Sequence, residues 1–473
     1  GVLMEVATIS KSHSDNSFKK EMKTRHIIML ALGGVIGTGL FLTSGYTVNQ
    51  AGPLGSVLVY AVGAVMVYLV MMSLGELAVH MPETGSFSRY AAKFIGPATG
   101  YTVGWLYWLT WTVAIGSEFT AAGILMTRWF PESPVWIWSL LFAASVMICN
   151  IVSVRLFAET EFWLSLVKVI AVVVFIVVGG LVIVGVFHHD SSMQYGLTNF
   201  TREGLFPTSP ASILSALLAV AFAFSGTELI GITAGEAEHP EKSIPKAIKT
   251  TIYRLVLFFI GTIFVLAALL PREKAGLVES PFVMVFELTG FSYSADVMNF
   301  VILTALLSAA NSGLYAASRM LWTLSDQGHI STSFSRLTAK GTPVFAIIFS
   351  MMGAGASLLS SVLSPDTVYL ALVSISGLAV VLVWISISAS QLAFRKTFIA
   401  NGGSVDDLKY KVKAFPIVPI VSIVLCVCAC IGIAFDPSQR VALYFGIPFV
   451  VCCYCVFWLK NRTSGYQQQN QSL

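Results

Sequence analysis

Apolar residues run along this chain in long blocks rather than alternating or recurring on one helical face. A helix needs about 20 mostly apolar residues to cross a bilayer. Windows of that length predict twelve spans, near residues 27–48, 54–79, 97–127, 135–153, 163–187, 211–234, 250–270, 294–325, 343–363, 366–390, 415–434 and 439–459. A further stretch, 281–293 (PFVMVFELTGFSY), is apolar but short, and reads as an amphipathic helix at the outer surface or a packed re-entrant piece. The polar segments between spans are too short to hold soluble domains. The most polar internal one, 235–249 (GEAEHPEKSIPKAIK), carries Pro240 and Pro245, which argue against one continuous helix through it.

Two spans are interrupted at mid-depth. The first reads IIMLALGGVIGTGLFLTSGY, with Gly33, Gly34, Gly37 and Gly39 close together. An interior glycine costs a helix roughly 1 kcal/mol, so the cluster invites unwinding. Unwound backbone at that depth is tolerated only where protein or a water-filled cavity satisfies it. The sixth span, AVAFAFSGTELIGITAG, holds Ser225, Gly226 and Thr227 and then Glu228. Breaks at corresponding positions five helices apart are the pattern of an inverted repeat of five plus five helices, with a solute at the repeat interface. The repeats would cover about 26–187 and 211–390 of a ten-helix core, between a tail at 1–25 and a final 391–473 segment. Half-helix N-termini suit a carboxylate and exposed carbonyls suit an ammonium group. The two breaks side by side therefore suit an α-amino acid zwitterion.

Composition agrees with the membrane class. The 473 residues are 56% hydrophobic and 11% charged, against about a quarter charged in soluble domains. Placing the N-terminus in the cytoplasm and alternating sides leaves five of the 28 Lys and Arg in outer loops: Arg128, Arg202, Arg272, Lys274 and Arg440. All the others but Lys168 fall in cytoplasmic segments, so both termini are expected inside. The start of the chain is polar to about His26, and the first span reads as an internal signal-anchor rather than a removed leader. No basic run interleaved with aromatics points to nucleic acid. The seven cysteines lie in apolar stretches, with no CxxC beside histidine, so neither a disulfide framework nor a zinc site is expected.

Ionisable residues inside spans are functional candidates. Lys168 lies in the fifth span, where it can exchange a proton, stand as a fixed cation beside the first break, or cap broken-helix carbonyls. Glu118, in the third span, can meet a cationic substrate group, serve as a structural hydrogen-bonding group, or handle a proton. Tyr107 and Trp111 share its helical face and would line the same pocket. Phe222 and Phe224 flank the sixth-span break. Glu76 and Arg319, near helix ends, read as structural.

These residues carry a resemblance. The stretch from Lys23 through Gly55, SLGELAVHMPETGSF at 73–87, FSGTELIGITAGEAEHPEKSIPKAI at 224–248 and NSGLYAASRML at 311–321 resemble amino acid permeases of the amino acid–polyamine–organocation (APC) superfamily, in order along nearly the whole chain. WLYWLTWTVAIGSEFTAAG at 105–123 is most similar to S-methylmethionine permeases, then to arginine/ornithine permeases. The resemblance implies an all-α integral membrane protein with twelve transmembrane helices in a LeuT-like inverted 5+5 repeat, importing an amino acid with a proton across the bacterial inner membrane. Position by position, it implies that Ile36, Gly37, Thr38 and Gly39 hold the substrate carboxylate. Carbonyls around Ala221, Phe222 and Ser225 would receive its amino group, with Phe222 as gate. Lys168 would stand where sodium-coupled relatives bind Na⁺. Tyr107, Trp111 and Glu118 would line the side-chain pocket, and Lys168 or Glu228 would carry the coupled proton. Thr38 stands where some relatives have Ser, and the hydroxyl is kept.

Competing readings are an amino acid exchanger and a non-transporting sensor, whose short tails leave no room for an output domain. A membrane-embedded enzyme lacks any HExxH or clustered metal carboxylates. No cofactor is expected.

Overall fold

The computed structural model describes residues 18, 20–186, 196–277, 279–290 and 293–471, with side chains as far as 463. Most of the expected N-terminal tail, the end of the fifth span at 187, part of the 281–293 stretch and the last two residues lie outside this set.

The described chain is helical almost throughout: α1 (Thr24–Val35), α2 (Thr38–Phe41), α3 (Thr43–His80), α4 (Ser86–Phe94), α5 (Pro97–Met126), α6 (Val135–Val152), α7 (Val154–Ile183), α8 (Pro210–Ser215), α9 (Leu217–Phe224), α10 (Leu229–Thr233), α11 (Pro240–Leu269), α12 (Pro281–Leu288), α13 (Ser294–Asp326), α14 (Val344–Ser350), α15 (Met352–Ser357), α16 (Pro365–Ala400), α17 (Ile417–Gly432) and α18 (Arg440–Gln471). Among the described residues, eleven stretches are long and apolar enough to cross a membrane. The difference from twelve lies at the start of the chain. The broken first span leaves only the 12-residue α1 as a regular helix. The 38 residues of α3 include a kink at Gly52 (φ 75°), followed by Pro53. Unkinked, α3 would measure about 57 Å, nearly twice the ~30 Å hydrocarbon core.

Several boundaries differ from the hydropathy reading, each for a local reason. Helix α7 begins at Val154, nine residues before the expected 163, because the Ser153 hydroxyl caps it by accepting from Leu156 N at 3.0 Å. The 235–249 segment is not one continuous helix, as expected: a short turn ends at Glu236, and α11 begins only at Pro240, although it then runs through Pro245. Pro240 sits at the first helical position, where its missing N–H has no intrahelical partner to lose. The short apolar stretch forms α12, with Phe282, Val283, Val285 and Phe286 buried against its neighbours.

Packing sorts the helices into a centre and a rim. Helix α5 is buried along nearly its whole length, between α13, α16 and the broken segments. Helices α6, α7 and α18 turn large apolar side chains outward, among them Leu141, Trp163 and Trp458, as a lipid-facing belt requires. One end of the bundle, here the basic face, carries the N-terminal segment and the loops before α11 and α17. Two buried ion pairs tie it together. Glu76 of α3 meets Arg395 of α16 and also accepts from Gln391 Nε2 (2.6 Å) and Val412 N (3.0 Å). Glu236 meets Arg319 of α13 at 3.1 Å. The N-terminal segment joins there as a single bridge, Met22 pairing with the strand-like backbone at 236–238. At the opposite face Arg128 draws together Glu279, Glu287 and Asp296. The sequence reading of Glu76 and Arg319 as structural groups matches these pairs.

Candidate functional site

The two breaks lie against each other at the centre of the bundle. Helix α1 ends at Val35, Ile36 is extended (φ −82°, ψ 92°), and α2 starts at Thr38. Helix α9 ends at Phe224, Ser225 is extended, and Gly226 takes φ 113° before α10 begins at Leu229. A Cβ on Gly226 would lie 2.8 Å from the Gly34 carbonyl, and one on Gly39 would overlap the Ala223 backbone. As numbering rises from 34 to 39 it falls from 226 to 223, so the broken segments cross antiparallel. Glycine is required at both crossings because the backbones touch there, and at 226 also because φ is positive.

Each break is closed by a buried carboxylate. Glu118 of α5 accepts from Thr38 N (3.3 and 3.4 Å) and from the Thr38 hydroxyl (3.4 Å). A Cβ on Gly37 would come 2.8 Å from the same carboxylate. Glu228 folds back onto its own break, accepting from Gly226 N at 3.1 Å, and takes further bonds from Tyr107 Oη (3.1 Å) and Trp384 Nε1 (3.3 Å). The carbonyl side of the first break faces Lys168 Nζ, which donates to Gly33 O and, at 3.1 Å, to Ile36 O. Of the readings weighed for Lys168, the capping of broken-helix carbonyls is the contact seen. Three carboxylates and one ammonium, those of Glu118, Glu228, Glu161 and Lys168, are thus buried around the two breaks.

The expected side-chain pocket divides in two. Tyr107 and Trp111 pack ring to ring at 6.4 Å. Tyr107 and Glu118, however, are eleven residues apart on α5, about 16 Å along the axis. Tyr107 therefore reaches the sixth-span break and Glu118 the first. Trp111 lies over Gly313, and among the described residues its buried Nε1 has no hydrogen-bond partner. Ala221 and Phe222 are buried, and the Phe222 carbonyl is engaged by Ser225 N (3.1 Å) and Oγ (2.6 Å).

Three groups at the site escaped the sequence reading. Tyr369 donates to Thr38 O at 3.2 Å and pairs with the Thr43 hydroxyl at 2.6 Å. Trp384 serves Glu228. Glu161 lies about two turns below Lys168 on α7. A hydropathy window that began at 163 left Glu161 outside the span, although 161, 165 and 168 share a helical face.

The pattern defining the amino acid permease family matches residues 26–469. This chain belongs to that family. The permease is 51% identical over 463 residues to the putative histidine permease of Bacillus subtilis (strain 168), covering 98% of each chain. It is 50% identical to the amino-acid permease RocC of the same organism over 449 residues, 94% of this chain and 96% of the relative. It is also 41% identical to the lysine-specific permease LysP of Lactococcus lactis subsp. cremoris (strain MG1363), across 96% of this chain and 92% of the relative. None of these three names mentions S-methylmethionine, the substrate first expected for the 105–123 segment. The permease is a multi-pass membrane transporter of amino acids, not an enzyme, and its family implies the LeuT-like fold.

Proposed function

We propose that this permease imports a basic α-amino acid, histidine first among them and lysine, arginine or ornithine next, together with a proton. The observation that carries the reading is the antiparallel meeting of two broken helices, with Thr38 N–H and the Phe222–Ser225 turn on one side and a buried lysine on the other. In this account the spans number twelve, Thr43–His80 being divided at Gly52. Two inverted repeats of five, about 26–187 and 211–390, bring the breaks together. The basic face is cytoplasmic, by the excess of Lys and Arg there, and the membrane is the bacterial inner membrane.

The substrate carboxylate takes the N–H groups of Gly37, Thr38 and Gly39. Because Glu118 holds Thr38 N–H, the incoming carboxylate displaces it towards Lys168. The ammonium group goes to carbonyls at Ala221, Phe222 and Ser225, which requires the Ser225 side chain to turn away from Phe222 O. Phe222 closes over the seat. Tyr107, Trp111 and Glu228 wall the remaining space, with the unpartnered Trp111 Nε1 as a donor for the substrate. Lys168 holds the position of a coupling cation and exchanges the proton. The relatives named for histidine and lysine support a basic side chain.

The test is uptake of labelled L-histidine, L-lysine, L-arginine, L-ornithine and S-methylmethionine into proteoliposomes. An inward proton gradient should drive accumulation of at least one basic amino acid, and a protonophore should abolish it. Uptake indifferent to the gradient but dependent on internal amino acid would make the protein an exchanger instead.

A further inference from the structure

Glu161 is 1% exposed and has no role in the seat described above. Its surroundings set it apart from Glu76 and Glu236, each of which faces an arginine. Glu161 is held by rotatable or neutral donors from α13: Ser308 Oγ at 3.1 and 3.2 Å, Asn311 Nδ2 at 3.0 Å and Ser312 Oγ at 2.7 Å. A hydroxyl can turn from donor to acceptor, so this cradle accommodates the carboxylate with or without a proton. An arginine partner would fix it ionised.

The face of α7 that carries Glu161 runs Ala158, Glu161, Ser165, Lys168, at helical steps of three and four. Ala158 lines a cavity of about 260 Å³ at the basic face, together with Glu159, Arg155, Met22 and His26. At the other end Lys168 caps the first break. Glu161 and Lys168 are about 10 Å apart along the helix axis, and among the described residues no ion pair joins their side chains. Between them on the helix stands the Ser165 hydroxyl, buried and, among the described residues, without a hydrogen-bond partner. Gly33 is the common neighbour: its carbonyl accepts from Lys168, and a Cβ there would overlap Ser165 Oγ and lie 3.4 Å from Glu161 Oε2. Glu118 from α5 is the other ionisable group near this column. Helix α1 meets it with the Gly33 and Ile36 backbone and, at the cavity end, with Arg25 and His26, which pair with Glu159 at 2.6 and 2.7 Å. Helix α13 meets it with the three neutral donors, and α11 packs on α7 through Val265 and Gly261. Asn150 of α6 bonds Asn311 behind it.

We propose that Glu161 is the relay through which Lys168 passes its proton to the cytoplasmic side, by way of Ser165. An N–H bond of the Lys168 ammonium breaks as an O–H bond forms at Ser165 Oγ. The hydroxyl's own proton passes to a Glu161 carboxylate oxygen, leaving Lys168 neutral and Glu161 neutral. Glu161 then releases the proton to water in the cavity below and regains its charge. The inference rests on the proton coupling proposed above.

The test compares wild-type protein with Glu161→Gln, Glu161→Asp and Ser165→Ala in proteoliposomes, using labelled L-histidine or, if it is the better substrate, L-lysine. Counterflow at equal pH reads binding and alternation without net proton movement. Gradient-driven accumulation and a trapped pH dye read coupling. Glu161→Gln should keep counterflow within about twofold of wild type while accumulation and substrate-induced acidification fall about a hundredfold. Glu161→Asp should recover part of both, and Ser165→Ala should slow acidification. Coupling at the wild-type level in Glu161→Gln overturns the relay, as does an equal loss of counterflow and coupling. Should Glu161→Gln fail to fold, Ser165→Ala decides, and an unchanged rate of acidification there overturns the relay. Absence of gradient-driven uptake by the wild type is a separate failure, that of the coupling itself.

Discussion

Gly39 of α2 and Ala223 of α9 meet backbone against backbone, so that a Cβ added at 39 would fall on the Ala223 Cα. This contact sets how closely the two broken spans approach. Gly39→Ala must therefore push α2 away from α9, at about 1–3 kcal/mol of overpacking, and spoil the seat even where the protein still folds. Uptake should fall to background while Gly180→Ala, whose added Cβ meets nothing within 4 Å among the described residues, leaves it intact. Unimpaired uptake by Gly39→Ala would mean that the crossing is not the seat.

Lys168 holds two carbonyls that the first break leaves open. Lys168→Ala deprives Gly33 and Ile36 of their donor, at about 1–3 kcal/mol for each buried group left unpaired, and removes the group proposed to couple the proton. Concentrative uptake should disappear and the melting temperature in detergent should drop. Retention of gradient-driven accumulation by this variant would sink the assigned role.

Glu118 serves the backbone of the first break rather than the space beside Tyr107. Glu118→Gln keeps an oxygen for Thr38 N–H but loses the charge. Uptake of basic and neutral amino acids should therefore decline together. A loss confined to basic substrates would return Glu118 to a side-chain pocket.

Glu76 and Arg395 form a buried pair between α3 and α16, far from the breaks in sequence and placed at the basic face. Glu76→Ala strands the guanidinium, Gln391 and Val412 N–H, and should cost about 3–5 kcal/mol. Thermal unfolding in nanodiscs measures it. The paired replacement Glu76→Met with Arg395→Met should recover most of the loss; if it does not, the pair contributes more than mutual compensation.

Much of this was legible in the sequence because a bilayer demands long apolar blocks and penalises both glycine clusters and charges within them. The breaks at Gly37 and Gly226, and the depth of Lys168, Glu118 and Glu228, follow from that demand. What hydropathy could not reveal is partner choice. Tyr107, Trp111 and Glu118 share a helical face, yet the rise of the helix sends Tyr107 and Glu118 to different breaks. Trp384 and Tyr369 look like any aromatic in an apolar span until another helix supplies Glu228 or Thr38. Glu161 was hidden by a boundary: Ser153 starts α7 well before the hydropathy window opens, and Pro240 does the same for α11. Helix caps, rather than apolarity, set those ends.

The central claim is that the crossed breaks seat the α-carboxylate and α-ammonium groups of an amino acid. It is tested most directly by competition of labelled L-histidine uptake with L-histidine, L-lysine, histamine and cadaverine. Both amino acids should compete, while the two amines, which keep the side-chain nitrogen but lack the α-carboxylate, should fail even at about a hundredfold excess. Histamine competing as well as histidine would contradict the account.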